Sequence, residues 1–432
     1  MTRFPAALAV SFLLLMVSTA FAQHHEHAAP VAKPRRDSAL TLFQTDMRRM
    51  TGMVPVDPMG TAPGWQGMTA GVVRFGYNRQ GGDRGDEGFE STNWFMGMAH
   101  HDLGPGRVTF MLMNSLEPWT FDEPGSPQLF QTGETFEGEP LVDYQHAHDF
   151  FMNLSATYRA ALSPRAGLWL QLAPVGEPAL GPVAFMHRAS AGDNPNAPLG
   201  HHWQDATHIT YNVITAGGGW GRVALDASAF HGEEPDEDRW DIDGGEIDSY
   251  AGRLSVDLTG KWSAMVSYGD IHDPEALEPG DLQRSTASLC YNQKGDGPAA
   301  AMILWARNDE EHGVSDSFLG EYARHLSRQH HVYGRFEWVE KDEHLLATRE
   351  HTDEEETALA GVSALTVGYF HSGSIFSGLG MGGDVTFYRV PSELEPEYGE
   401  FPVSIHIFIR ARWMSGTGTA HHHQRFLFPH SR

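Results

Sequence analysis

Along much of this chain, apolar and polar residues alternate one by one. In "GRVALDASAFH", Val223, Leu225, Ala227 and Ala229 fall on one face and Arg222, Ala224, Asp226 and Ser228 on the other. A period of two is that of a β-strand with one apolar side. "NLSATYRAAL" sets Leu154, Ala156, Tyr158 and Ala160 against Asn153, Ser155, Thr157 and Arg159. "VSIHIFIRARW" sets Val403, Ile405, Ile407, Ile409, Ala411 and Trp413 against Ser404, His406, Arg410 and Arg412. The polar faces carry charges, among them Arg253, Asp257, Glu321, Arg335, Glu337 and Asp384. A soluble sandwich shows the same alternation, so the strands alone leave the fold open.

The connections decide it. From Trp65 onward, tight turns at 102–107, 162–166, 216–221, 258–262, 293–297, 326–330 and 371–374 alternate with longer connections. The latter lie near 79–91, 115–149, 176–205, 232–246, 272–282, 309–314, 342–356 and 391–401. One rim of short turns and one of long loops is the rhythm of a transmembrane β-barrel. The prediction is an all-β, antiparallel barrel of about sixteen strands over 65–413, with long external loops. Closure also pairs every backbone amide, which lipid demands. Trp94, Trp169, Trp220, Trp262, Trp305, Trp338 and Trp413, near the ends of runs, are expected to form interfacial girdles.

Composition narrows the setting. "MTRFPAALAVSFLLLMVSTAFAQ" reads as a secretory signal over 1–22, with an apolar run from Ala6 to Val17 and a cut after Ala22. The polar lead 23–64 and the tail 414–432 then flank the barrel, and the chain is expected in the outer membrane with lipid as its partner. The net charge of -26 argues against nucleic acid and favours cations. Cys290 is the only cysteine, so no internal disulfide forms. A homo-oligomer is among the assemblies the sequence permits.

Two loops differ from the other, mainly acidic ones. "FQTGETFEGEPLVDYQHAHDFF" (130–151) and "GEPALGPVAFMHRASAGDNPNAPLGHHWQDATHIT" (176–210) are rich in Pro, Gly and His. They hold His146, His148, His187, His201, His202 and His208, with Asp149 and Asp205, as a candidate metal site. Imidazole with carboxylate suits copper, zinc or nickel, and the cofactor expected is of the Cu or Zn class. In an extended chain, His146 and His148 point the same way about 6.5–7 Å apart, so one ion bridges them only across a kink. A histidine at a strand mouth is more often an ordinary hydrogen-bonding residue. The terminal tracts with His24, His25, His27 and His421, His422, His423 are further metal candidates. Met47, Met50, Met53 and Met59 read as packing more readily than as soft ligands.

The acidic runs 231–246 and 350–356 read as solvated surface, with calcium at Asp236, Asp238, Asp241 and Asp243 as the minor alternative. Ser190 near His187 and Thr207 near His208 keep a barrel hydrolase open, although no "GxSxG" surrounds them. A structural barrel without ligand is the third reading.

The segments "LFQTGETFEGEPLVDYQHAHDFFMNLSATY", "GEPALGPVAFMHRASAGDNPNAPLGHHWQDATHITYNVITAG" and "FHGEEPDEDRWDIDGGEIDSYAGRLS" resemble a family of uncharacterised bacterial exported proteins, loosely associated with copper and heavy-metal resistance loci. The resemblance spans about Trp65 to Tyr291. It implies a shared architecture and transfers no catalytic residue. Relatives often carry "QHPHD" where this chain has "QHAHD"; Ala147 then removes a proline that would fix the two imidazoles. The function expected is a channel or binding protein for transition-metal ions.

Overall fold

The structure is a computed structural model and describes residues 64–416 apart from 164, 278–279, 294–296, 312, 348–357 and 374–377. The signal, nearly all of the lead, the tail beyond 416 and both terminal histidine tracts lie outside the described residues. Sixteen long strands form the wall: β1 (Gln66–Arg79), β2 (Asn93–Leu103), β3 (Gly106–Asn114), β4 (Phe151–Ser163), β5 (Ala166–Gly176), β6 (Thr210–Trp220), β7 (Val223–His231) and β8 (Ser249–Asp257). They continue as β9 (Trp262–Ile271), β10 (Leu282–Gln293), β11 (Ala299–Glu310), β12 (Gly313–His325), β13 (His330–Asp342), β14 (Leu359–Ser372), β15 (Leu379–Arg389) and β16 (Val403–Gly416). Each is antiparallel to the next. The sheet closes where β1 meets β16, in register from Met68↔Gly416 to Arg79↔Ile405. A four-residue strand, Glu87–Glu90, extends the sheet beyond the wall at one rim.

The burial pattern is inverted relative to a soluble protein. On β16, Val403, Ile405, Ile407 and Ile409 are exposed while Ser404, His406 and Arg410 are buried. Ile303 is 65% exposed, whereas Glu321, Arg335, Glu337 and Asp384 face inward and are at most 5% exposed. Apolar side chains outside and charges inside are the arrangement lipid selects: charge is costly against hydrocarbon and satisfied in a polar lumen. The fold is therefore an antiparallel transmembrane β-barrel, as the alternation predicts.

Three details depart from the sequence reading. The connection at 309–314 is a tight turn: β11 and β12 run up to it, and Glu310 pairs with Gly313. Its acidic residues look loop-like because the hairpin tip, with Asp309 and Glu310 exposed, is charged without the chain leaving the sheet. The last strand continues past Trp413 to Gly416. Trp94 and Trp169 are inward-facing and buried, 6% and 7% exposed, and so take no part in a girdle; Trp220 and Trp262 remain exposed. The Trp169 indole lies over its cross-strand partner Gly217, where an added Cβ would meet the ring at 2.2 Å, and its Nε1 donates to Asp226 at 2.7 Å. A glycine under an aromatic ring is a recurrent device of curved sheets.

The two unusual loops fold into the lumen. The 177–209 segment hydrogen-bonds to β7 (Ala179 amide to Ser228), β9 (Gly181 amide to Ser267), β11 (Asn308 to the His202 carbonyl), β12 (Ser190 to Glu321) and β13 (Leu199 amide to Glu337). It also reaches β1 and β16, whose Arg74 and Arg410 both donate to the Gly192 carbonyl, at 3.2 and 3.0 Å. Its apolar residues supply the rest of the hold. Leu180, Phe185, Leu199 and Trp203 are buried, and Leu199 and Trp203 pack in one cluster with Leu129 and Phe130 of the 115–150 loop and Tyr388 and Tyr398 near the rim. Gly181 adopts φ +68, and a Cβ there would lie 2.2 Å from the Gln204 carbonyl oxygen, so the sharp entry into the lumen needs glycine.

Candidate functional site

Where the two loops meet, five of the six predicted loop histidines come together. Ring centroids step from His146 to His148 (6.2 Å), to His208 (5.3 Å), to His201 (5.1 Å) and to His202 (5.4 Å). His146 and His148 come from the end of the first loop. His201 and His202 come from a short helix, His201–Gln204, and His208 from the 3-10 turn Ala206–His208 that follows it. His187 is set apart: it packs edge-on against Trp94 at 4.9 Å, and burial pushes its pKa down to about 4.

Three of these imidazoles have Nδ1 committed. His148 Nδ1–H donates to Glu117 Oε2 at 2.6 Å, and the same oxygen accepts the His148 amide at 3.0 Å. His201 Nδ1–H donates to Asp205 Oδ1 at 2.8 Å, and His208 Nδ1–H donates to the Asp205 carbonyl at 2.9 Å. Because each acceptor is an oxygen, the proton sits on Nδ1 and the neutral ring presents its lone pair at Nε2. The Nε2 atoms of His148 and His208 are buried without a hydrogen-bond partner. An orphaned buried polar atom costs roughly 1–3 kcal/mol.

Electrostatics differ from ring to ring. Burial resists the charge on His148, yet the Glu117 carboxylate outweighs it and its pKa is raised. For His201 burial prevails over the help from Asp205, and the pKa is lowered. His208 is held well below its ordinary value by burial and by the neighbouring His201 and His148. Asp205 is buried and yet pulled down, because Arg188 and His201 both face it. Arg188 is itself fully buried, donating to the Val183 carbonyl at 2.9 Å and lying 3.6 Å from Glu321. Asp149 is already taken, by the Tyr211 hydroxyl at 2.6 Å and Arg239 at 3.3 Å.

Sequence reasoning missed Glu117, Glu134, Arg188, Glu234 and Arg239. Glu234 and Arg239 belong to the acidic 231–246 run, which is only partly solvated surface. Arg239 turns inward to Glu134 and Asp149, and Glu234 lies 3.6 Å from His202 Nδ1, while Asp236 and Asp241 stay exposed. No local signal marks them, since their partners are distant in sequence. Of the hydrolase candidates, Ser190 donates its hydroxyl to Glu321 at 2.9 Å, and His208 directs Nδ1 to a backbone carbonyl.

Among the described residues, three groups bring ligand atoms within 4.8 Å of one another, and His148, His201 and His208 are not one of them. Asp193 with His325 and His331 is one, but Arg410 sits 2.6 Å from Asp193 and repels a cation. Asp236, Asp241 and Asp243 form an exposed carboxylate group, in which burial and the neighbouring acids push Asp241 up to about 6.

No protein-family model matches the sequence, and no curated protein matches it. Among solved structures, the chain is similar to an anion-selective porin from Comamonas acidovorans, with a TM-score of 0.52 and 12% identity, covering 81% of this chain and 100% of that one. OmpF of Salmonella typhi, in complex with daunomycin, aligns over 81% and 97% with a TM-score of 0.49 and 8% identity. OprB of Pseudomonas putida aligns over 81% and 94% with a TM-score of 0.47 and 10% identity. At such identities the likeness concerns the fold alone, and that fold is the one outer-membrane porins use.

Proposed function

We propose that this chain is an exported outer-membrane barrel that binds a transition-metal ion of the copper or zinc class in its lumen, on His148, His201 and His208. The observation that carries the reading is the pair of buried, partnerless Nε2 atoms on His148 and His208, in rings 5.3 Å apart with His201 beside them. Metal-binding histidines ordinarily donate their other N–H to a carboxylate or carbonyl, and all three do so here. Three imidazoles suit Zn(II) or Cu(II) and leave a coordination position for water or an exchanging ligand. In this reading the 177–209 loop is a plug that carries ligands, and passage of an ion through the wall requires the plug to shift.

The test is metal content. Purified, untagged protein is loaded with Zn(II) or Cu(II) and compared with His148→Ala plus His208→Ala and with His187→Ala. The double variant is expected to lose one tightly bound equivalent and the His187 variant none. Equal content in all three proteins removes the site.

A further inference from the structure

Beside the three-imidazole site lies a second constellation that shares no ligand with it. His202 is 2% exposed, and neither of its ring nitrogens has a hydrogen-bond partner. Its backbone is fixed by Asn308, which donates to the His202 carbonyl at 3.3 Å. Its Nε2 stands 3.8 Å from Glu134 Oε1 and its Nδ1 stands 3.6 Å from Glu234 Oε2. Single ligand atoms from Glu134, His202 and Glu234 lie within 4.8 Å of one another. Ligands at about 2.0–2.2 Å around a tetrahedral ion are about 3.3–3.5 Å apart. The two gaps are too long for hydrogen bonds and lie on different nitrogens of the ring; an ion held through one of them has its three ligand atoms within 4.8 Å of one another, so the carboxylates close on it by up to about an ångström. His146 adds a fourth group, with Nε2 2.7 Å from Glu134 Oε1 and Nδ1 2.9 Å from the Ala147 carbonyl.

Charge points the same way. The carboxylates of Glu134, Glu234 and Asp149 face one guanidinium within ion-pair distance among the described residues, that of Arg239. Arg284 stands farther off, its Nε held by Asn308 at 3.0 Å. Carboxylates in excess, largely withdrawn from solvent, call for a counter-cation.

We infer that Glu134, His202 and Glu234, with His146 as a fourth ligand, form a second divalent-metal site, of mixed nitrogen and oxygen character. The site takes Zn(II) or a similar borderline cation, in contrast to the all-imidazole site beside it.

The inference extends the metal-binding reading but stands on different residues, and one experiment separates the two. The full chain, stripped of metal and held in detergent, is titrated with Zn(II) by calorimetry, with bound zinc counted by mass spectrometry after desalting. Three variants accompany it: Glu234→Gln, His202→Asn, and His148→Ala plus His208→Ala. Retention of the folded barrel is checked by its gel mobility before and after heating. The wild type is expected to bind two equivalents. Glu234→Gln and His202→Asn each weaken one equivalent by at least tenfold, and the double variant keeps this one while losing the other. If Glu234→Gln and His202→Asn both bind as the wild type does, the second site is overturned and the first is untouched. If zinc is lost from these two but not from the double variant, the second stands and the first falls. A wild type that binds no zinc overturns both.

Discussion

Replacing Arg188 by Met should unseat the plug. The side chain has no solvent exposure, pairs with Asp205, lies 3.6 Å from Glu321 and caps the Val183 carbonyl. Methionine fills much of the volume but leaves the buried Asp205 carboxylate with His201 and the Phe185 amide as its remaining partners. Removing one member of a buried ion pair costs about 3–5 kcal/mol, and Glu321 keeps Arg335 at 3.3 Å and Ser190, which places the expectation near the lower end. At 1.4 kcal/mol per factor of ten, about 3 kcal/mol raises the undocked fraction of the 177–209 segment roughly a hundredfold. The wall is not touched, so the barrel should still fold. Amide hydrogen exchange over 177–209 reads the change directly, and conductance in a planar bilayer reads its consequence. Arg188→Lys, which retains the charge, should fall between the two proteins. Unchanged exchange and unchanged conductance in Arg188→Met would mean that the buried pair does not hold the loop.

Acid should loosen the same segment. The pKa values of His187, His201 and His208 are lowered in place, so the docked loop holds them neutral and an undocked loop takes up protons. Docking is then complete above about pH 6.5 and is lost as pH falls; for His187, which drops to about 4, the contribution at pH 4 is about 3 kcal/mol. His148, raised by Glu117, acts in the opposite sense, favouring docking while charged and losing that contribution as pH rises through its elevated pKa. Exchange rates in 177–209 that stay flat from pH 7 to 4 would contradict this balance. On the lipid face, Ile303→Arg should destabilise the barrel by about 2–4 kcal/mol, measured as the urea midpoint of folding into vesicles. Gly217→Ala should displace the Trp169 indole and break its bond to Asp226, costing about 1–3 kcal/mol and shifting tryptophan emission.

The wall was readable because its determinant is local. Each strand's neighbours in sequence announce which face is oily, and tight turns announce where the next strand begins. The reading erred where a local cue has two causes: the Glu310–Gly313 turn is acidic without being long, and Trp94 and Trp169 lie near strand ends yet point inward. The histidines could be named from composition, since two Pro- and His-rich loops stand out among acidic ones. Their arrangement could not. His148 finds Glu117 across 31 residues and Ser190 finds Glu321 across 131, and no period or spacing encodes contacts of that range. The acidic 231–246 run was read as solvated because charge runs usually are; Arg239 and Glu234 turn inward because the lumen offers them partners.

Arg74 and Arg410 stand directly opposite each other on the first and last staves of the ring. Two facing guanidiniums strain that seam, and the strain is relieved because the Gly192 carbonyl accepts from both and Asp193 neutralises Arg410. The inserted loop thus serves as a clasp, fastening from inside a seam that the backbone ladder already closes. A chain lacking the Gly192–Asp193 tip should still close, with a seam that parts more readily where the two guanidiniums face each other.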